Sequence, residues 1–204
     1  MLLAIDTETS GLFKDGIDPF DPNQPHLVQI GAQLFDQQFR KRAHLTMLIK
    51  PDGWEIEPGA EAVHGISTQT CHRYGVKLSE ALIPLKGLVA TASRIIAHNM
   101  NFDRRVITLA IHRAGGEGVW WSNAAGKMLC TMETATEVCA LPRKNGSAGF
   151  KFPSLQEALE KLCDPSQFPV RHDADSDIAA MVAVYRQLLE RKVIPDVEAF
   201  ARTF

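Results

Sequence analysis

Leu2-Leu3-Ala4-Ile5-Asp6-Thr7-Glu8 is the stretch on which the reading of the chain turns. The apolar run Leu2–Ile5 predicts a buried strand, and the two acids come where that strand ends. Along an extended backbone residues i and i+2 share a face, so Asp6 and Glu8 project together and Thr7 turns away. Two adjacent carboxylates repel unless a cation lies between them. As hard oxygen donors they suit Mg²⁺ or Mn²⁺ better than a soft metal. Acids at a strand end also simply face water, so this pair needs company before it defines a site.

Outward from it, Leu27 to Phe35 reads as a second strand and Ala43 to Ile49 as a third, with Asp36-Gln37-Gln38 as the turn between them. Phe13 to His26 holds Pro19, Pro22 and Pro25 and predicts a surface excursion between the first two strands. Spacing then becomes helical over Ser79–Ala92, and Arg94–Ala97 predicts a short buried strand. Phe102 to Ala114 is amphipathic and stops at Gly115-Gly116. Met128-Leu129-Cys130 predicts a fifth strand, and Met132–Cys139 a helix. Ser154-x-x-Glu157 is a capping box that opens a helix over Leu155–Cys163. Ala174 to Arg191 is the last long helix, with Ile178, Met181, Val182, Tyr185, Leu188 and Leu189 on its apolar face. Between these helices, Leu141–Pro153 carries Arg143, Lys144 and Lys151 among small residues and reads as a mobile basic loop. The pattern predicts an α/β fold, a five-stranded mixed sheet flanked by helices, as one domain spanning residues 1–204.

Two further signatures join the first. Asp103 falls in the first turn of its helix, just past Arg94–Ala97. His172 and Asp177 precede and open the last helix. Five positions amount to about 140° around a helix, so the two cannot share a helical face. They can meet if His172 lies on the preceding loop and Asp177 in the first or second turn, with Asp173 as N-cap and Asp175 favoured by the helix dipole. A histidine beside such acids is a base for activating water. Any helix favours acids in its first turn, so chemistry rests on the conjunction of the three signatures.

Composition narrows the partners. The formal net charge is only −2, whereas a protein that coats long duplexes is strongly basic. A locally gripped partner, such as one strand end or a short oligomer, fits better. Cys71, Cys130, Cys139 and Cys163 lack C-x-x-C spacing, which argues against a zinc site or a disulfide framework. Met1–Ile5 is too short for a signal-peptide core, and no run approaches the roughly 18–20 apolar residues of a membrane span. The expectation is a cytoplasmic protein without membrane association.

The three signatures in this order resemble the DEDDh exonucleases, the DnaQ-like group that contains the proofreading epsilon subunit of bacterial DNA polymerase. Asp6-Thr7-Glu8-Thr9-Ser10-Gly11-Leu12 is close to that group's D-x-E-T-[TS]-G-[LM]. His98-Asn99-x-x-Phe102-Asp103 is similar to its H-N-x-x-F-D, and His172-Asp173-Ala174-x-x-Asp177 to its H-[DN]-A-x-x-D. Val63-His64-Gly65-Ile66-Ser67 looks like its V-H-G-[IL]-[TS] segment. The stretch from Cys130-Thr131 through Gly149–Leu155 is similar to a subgroup of bacterial and phage-type exonucleases. Gln29, where many relatives carry Glu, Cys130-Thr131 in place of Asp-Thr, and the long Phe13–His26 are departures. None of them touches a metal-binding acid, so they bear on substrate preference.

The resemblance implies an RNase H-like fold with two divalent cations, Mg²⁺ or Mn²⁺, held by Asp6, Glu8, Asp103 and Asp177. It implies His172 as the base, and Thr7, Thr9, Leu12, His64, Asn99 and Phe102 around the terminal nucleotide. The implied activity is 3′-to-5′ exonucleolytic hydrolysis of single-stranded DNA ends that releases nucleoside 5′-monophosphates, in repair or proofreading. An exoribonuclease acting on RNA 3′ ends or short oligoribonucleotides would use the same constellation. A catalytically silent nucleic-acid-binding subunit would be expected to have lost an acid, and none is lost. A polymerase partner is compatible with the resemblance and is not specified by it.

Overall fold

The computed structural model describes residues 1–144, 146–164, 166 and 174–195. The strands are β1 (Leu2–Thr9), β2 (Leu27–Phe35), β3 (Lys41–Leu48), β4 (Arg94–Ala97) and β5 (Met128–Cys130). They form one five-stranded sheet in the order β3-β2-β1-β4-β5. β1, β2 and β3 pair antiparallel, while β4 runs parallel to β1 and β5 parallel to β4. The sheet is therefore mixed, as the change of periodicity along the chain predicts.

Helices α1 (Pro58–His64), α2 (Thr68–Tyr74) and α3 (Leu78–Thr91) lie between β3 and β4, and α4 (Met100–Arg113) follows β4. After α4 come α5 (Val119–Ser122), α6 (Thr131–Cys139), α7 (Leu155–Leu162) and α8 (Ala174–Glu190). Alternation along β1 divides the core in two. Leu3 and Ile5 join Leu85, Val89, Val106 and Ile107 of α3 and α4. Leu2 and Ala4 join Leu159, Ile178, Met181 and Leu188 of α7 and α8. Each fully buried side chain of this size stabilises the fold by about 1.5–3 kcal/mol relative to exposure.

Some elements differ from the sequence expectation. β1 continues through the acids to Thr9, because β2 pairs with it over that whole length: Asp6 opposite Gly31, Thr7 opposite Ile30, Glu8 opposite Gln29. Asp6 and Glu8 thus sit inside the strand, on a backbone fixed from the side. α4 starts at Met100 because Asn99 takes a left-handed conformation, φ 81°, that turns the chain straight into the helix. α1 and α2 span seven residues each, too few to show an apolar period. Leu141–Pro153 is tied down at several points: Pro142 bridges Phe150, Arg143 Nε donates to the Phe150 carbonyl at 3.1 Å, and Lys151 pairs with Glu157. The four cysteines are free thiols, three of them buried. Among the described residues no helix is long and apolar enough to cross a membrane.

Candidate active site

On the α8 side of β1, Asp6 and Glu8 meet Asp177 from the first turn of α8. One carboxylate oxygen from each lies within 4.8 Å of the other two. Asp6 and Glu8 are half-buried and Asp177 is buried. Three hard oxygen donors at this separation form a set that fits a divalent cation such as Mg²⁺ or Mn²⁺.

The sheet itself brings α8 to this place. A Cβ on Gly31, the partner of Asp6, would stand 2.5 Å from the Ala174 Cβ and 3.2 Å from the Ala174 carbonyl oxygen. Glycine there lets the start of α8 rest on the strand, which carries Asp177 to Asp6. Gln29 Oε1, opposite Glu8, accepts from the Ala174 N–H at 3.2 Å and so satisfies one donor of the helix start. Gln33 Nε2 donates to Asp175 Oδ1 at 2.7 Å, and His44 Nε2 lies 2.7 Å from the same oxygen. Gln29, Gly31 and Gln33 alternate along an otherwise apolar strand. That alternation is the signal by which sequence reading could have found these three residues.

Asp103 occupies the other side of β1. Its carboxylate is buried, and Thr7 Oγ1 donates to its Oδ1 at 2.8 Å. Burial pushes the Asp103 carboxyl up to about 7, opposed by the Thr7 hydrogen bond. Among the described residues the close carboxylate group is Asp6, Glu8 and Asp177, and Asp103 is joined to the same strand through Thr7. His172, expected as the base, and Asp173, expected as the N-cap of α8, lie outside the described residues.

The expected substrate-binding residues divide into two kinds. Leu12 is 77% exposed, Asn99 is exposed, and Phe102 is half-buried with its ring 5.5 Å from Phe13, edge to face. These three present surface. Thr7 is engaged with Asp103, and Thr9 Oγ1 donates to the Gly11 carbonyl at 2.7 Å. His64 is buried, and its Nδ1 accepts from the Ile66 N–H at 3.0 Å. Its Nε2 then carries the proton and donates to the Thr9 carbonyl at 3.3 Å. Burial lowers the His64 pKa, in keeping with a neutral ring that clamps the end of β1. His98, quoted above only within its motif, ties the end of β4 to the 141–153 loop: its Nε2 donates to the Pro153 carbonyl at 3.1 Å.

The sequence pattern of the exonuclease family matches residues 3–185, and the chain belongs to that family. The fold is that of E. coli exonuclease I in complex with a dT13 oligonucleotide, with a TM-score of 0.72 at 20% identity over 94% of this chain. The zinc ion bound form of an E. coli exonuclease I–ssDNA complex gives a TM-score of 0.72 at 20% identity over 94% of this chain. A moderately thermophilic exonuclease I from Methylocaldum szegediense gives 0.71 at 22% identity, again over 94%. This chain spans 41% of the length of each of the two E. coli chains and 40% of the third. No curated protein matches it by sequence. The expected RNase H-like sheet and DnaQ-like kinship are borne out by the family match and the fold together.

Proposed function

We propose that residues 1–204 form a single catalytic domain that hydrolyses single-stranded DNA stepwise from its 3′ end and releases nucleoside 5′-monophosphates, in DNA repair or proofreading. The observation that carries this reading is the Asp6, Glu8 and Asp177 trio in a chain of the exonuclease family. The trio would hold one divalent cation, Mg²⁺ or Mn²⁺, and Asp103 would contribute to a second. When bound, such cations activate water at neutral pH and balance charge on the leaving 3′ oxygen. His172 accepts the proton of the attacking water. Leu12 and Phe102 offer apolar and aromatic surface to the unpaired terminal base, and Asn99 stands exposed at the start of the same helix. DNA is favoured over RNA because the exonuclease I structures of this fold are described with DNA oligonucleotides. RNA remains the second reading, since discrimination depends on room for a 2′-OH.

The test is digestion of matched 5′-labelled DNA and RNA oligonucleotides by the purified protein with Mg²⁺, Mn²⁺ or excess chelator. Stepwise shortening of DNA, faster than of RNA and abolished by the chelator, is expected. Full activity in chelator, or equally fast cleavage of a closed circular strand, would overturn the reading. His172→Ala should reduce turnover by roughly 10²–10⁴-fold and leave cation binding intact. Loss of cation binding in that variant would make His172 a ligand instead of a base.

A further inference from the structure

The 13–26 excursion is a built structure. Gln24 is buried, its Nε2 donates to the carbonyls of Lys14 at 3.0 Å and Asp18 at 3.2 Å, and its Oε1 accepts from the Lys14 N–H at 3.0 Å. Arg113, from the last turn of α4, donates to the carbonyls of Pro25 at 2.7 Å and Gln24 at 2.8 Å. The excursion is thereby clamped onto α4. Facing it, α4 exposes Asn101, Arg104, Arg105, Thr108 and His112, spaced by threes and fours along one side.

Between the two runs a groove. A cleft of about 170 Å³ at Phe13 and the arginines meets a larger one of about 1010 Å³ that reaches Trp54, and Phe20 lines both. Phe20 is 44% exposed, and its ring centroid lies 4.5 Å from that of His112. At the near end the Arg105 guanidinium sits 3.9 Å from the Phe13 ring centroid, and Phe13 abuts Phe102 of the candidate active site. At the far end His26 stacks on Trp54, with centroids 4.9 Å apart and planes 10° from parallel. Burial, helped by Arg113, lowers His26 to about 4, so this pair is neutral near pH 7. Arg104, Arg105, Lys50 and Lys77 also line the groove, and Asp52 is the one acid among the described lining residues. Asp18 and Asp21 turn their carboxylates onto the N–H groups of Phe20 and Asn23, each at 2.7 Å. A chain of net charge −2 thus concentrates cations and flat rings in one channel that begins at the site.

We propose that this groove is a track for the single DNA strand upstream of its 3′ end, with Phe20 stacking a base and Arg104 and Arg105 contacting phosphates. The proposal rests on the 3′-exonuclease reading above. Stacking platforms beside a cationic backbone path are how unpaired strands are held without sequence preference. From Asn101 to His112 the helix rises about 16 Å. Even if the strand stays stacked, with the rise of about 3.4 Å per nucleotide of one duplex strand, that length takes at most roughly four or five nucleotides.

The experiment compares hydrolysis of oligothymidylates from a dinucleotide to about eight nucleotides by the wild type, Phe20→Ala, Phe20→Trp and Arg104→Ala. KM of the wild type should fall with length. Phe20→Ala should raise KM for the longest substrate about fivefold or more while leaving kcat and dinucleotide hydrolysis unchanged, and Phe20→Trp should restore it. Arg104→Ala should reduce the salt slope of binding by about 0.7, one single-strand phosphate. If both alanine variants keep the wild-type length dependence and salt slope, the track is refuted and the exonuclease reading stands. If the wild type cleaves none of these substrates, both fall.

Discussion

The two sides of β1 use the same residue type in opposite ways. Toward α8, Asp6, Glu8 and Asp177 crowd together at a partly open edge. Toward α4, Asp103 is buried and takes a hydrogen bond from Thr7. A crowded trio relieves its repulsion by taking a cation, whereas burial of Asp103 favours its protonated form. Strand alternation thus gives one segment two electrostatic environments.

The largest effect should separate the two sides directly. Asp6→Asn keeps the shape and removes one charge from the trio. Turnover should fall by roughly 10³-fold or more, since stabilisation by bound cations is worth several kcal/mol. The rise in melting temperature on adding Mg²⁺ or Mn²⁺ should disappear with it. Asp103→Asn leaves the trio whole, so turnover should fall while most of that thermal shift remains. Calorimetric titration of both variants checks this, and equal loss of cation binding would erase the contrast between the sides.

A smaller but still large effect is expected at Gly31, which touches only the α8 side. Gly31→Ala places a Cβ 2.5 Å from that of Ala174, so the start of α8 must shift. Overpacking of this kind costs about 1–3 kcal/mol. A shift of about 1 Å in Asp177 would lower turnover roughly 10²-fold. Gly59→Ala, within α1, where an added Cβ meets nothing within 4 Å, is the control and should leave turnover unchanged and the melting temperature equal or slightly raised. Wild-type turnover in Gly31→Ala would show that α8 is positioned by something other than this contact.

The contrast between the sides was only half legible in the sequence. Residue alternation assigned Asp6 and Glu8 to one face and Thr7 to the other, and that is where they lie. Periodicity located the strands and the long helices because each buries a continuous apolar face. Gly31 escaped, and Gln29 showed only as a departure from the family pattern, because their roles depend on which helix lands on β2, a long-range fact with no local signal beyond the break in apolar alternation. A motif does not reveal hydrogen-bond partners, and the fold supplies those of His64, whose ring clamps the end of β1. The engagement of Asp103 by Thr7 joins positions 96 residues apart, a distance over which spacing carries no information.

The pH dependence of stability sharpens the contrast from the other side. Burial raises the Asp103 carboxyl from 3.8 to about 7, so the folded state binds its proton more tightly than the unfolded state. The stability this group contributes is full below 3.8 and is lost as pH rises through about 7. In cation-free protein, Asp103→Asn should therefore be more stable than the wild type by a margin that grows across that interval and levels off above it. Denaturant unfolding at stepped pH measures the margin, and a constant difference from pH 4 to 8 would show that Asp103 is charged throughout.

Thr7→Val should produce the smallest change and locate the boundary between the two sides. Valine keeps the volume of threonine and removes the hydroxyl that donates to Asp103 at 2.8 Å. The missing hydrogen bond should cost about 0.5–1.5 kcal/mol. That bond favours the charged carboxylate and opposes the effect of burial, so without it the Asp103 pKa should rise further. The interval over which stability is lost should then extend to higher pH than in the wild type. Thr7 points away from Asp6 and Glu8 along the strand, so cation binding by the trio should be unchanged. A downward move of the interval would mean that another group sets the Asp103 proton. Weakened cation binding in Thr7→Val would mean that the two sides of β1 act as one electrostatic unit.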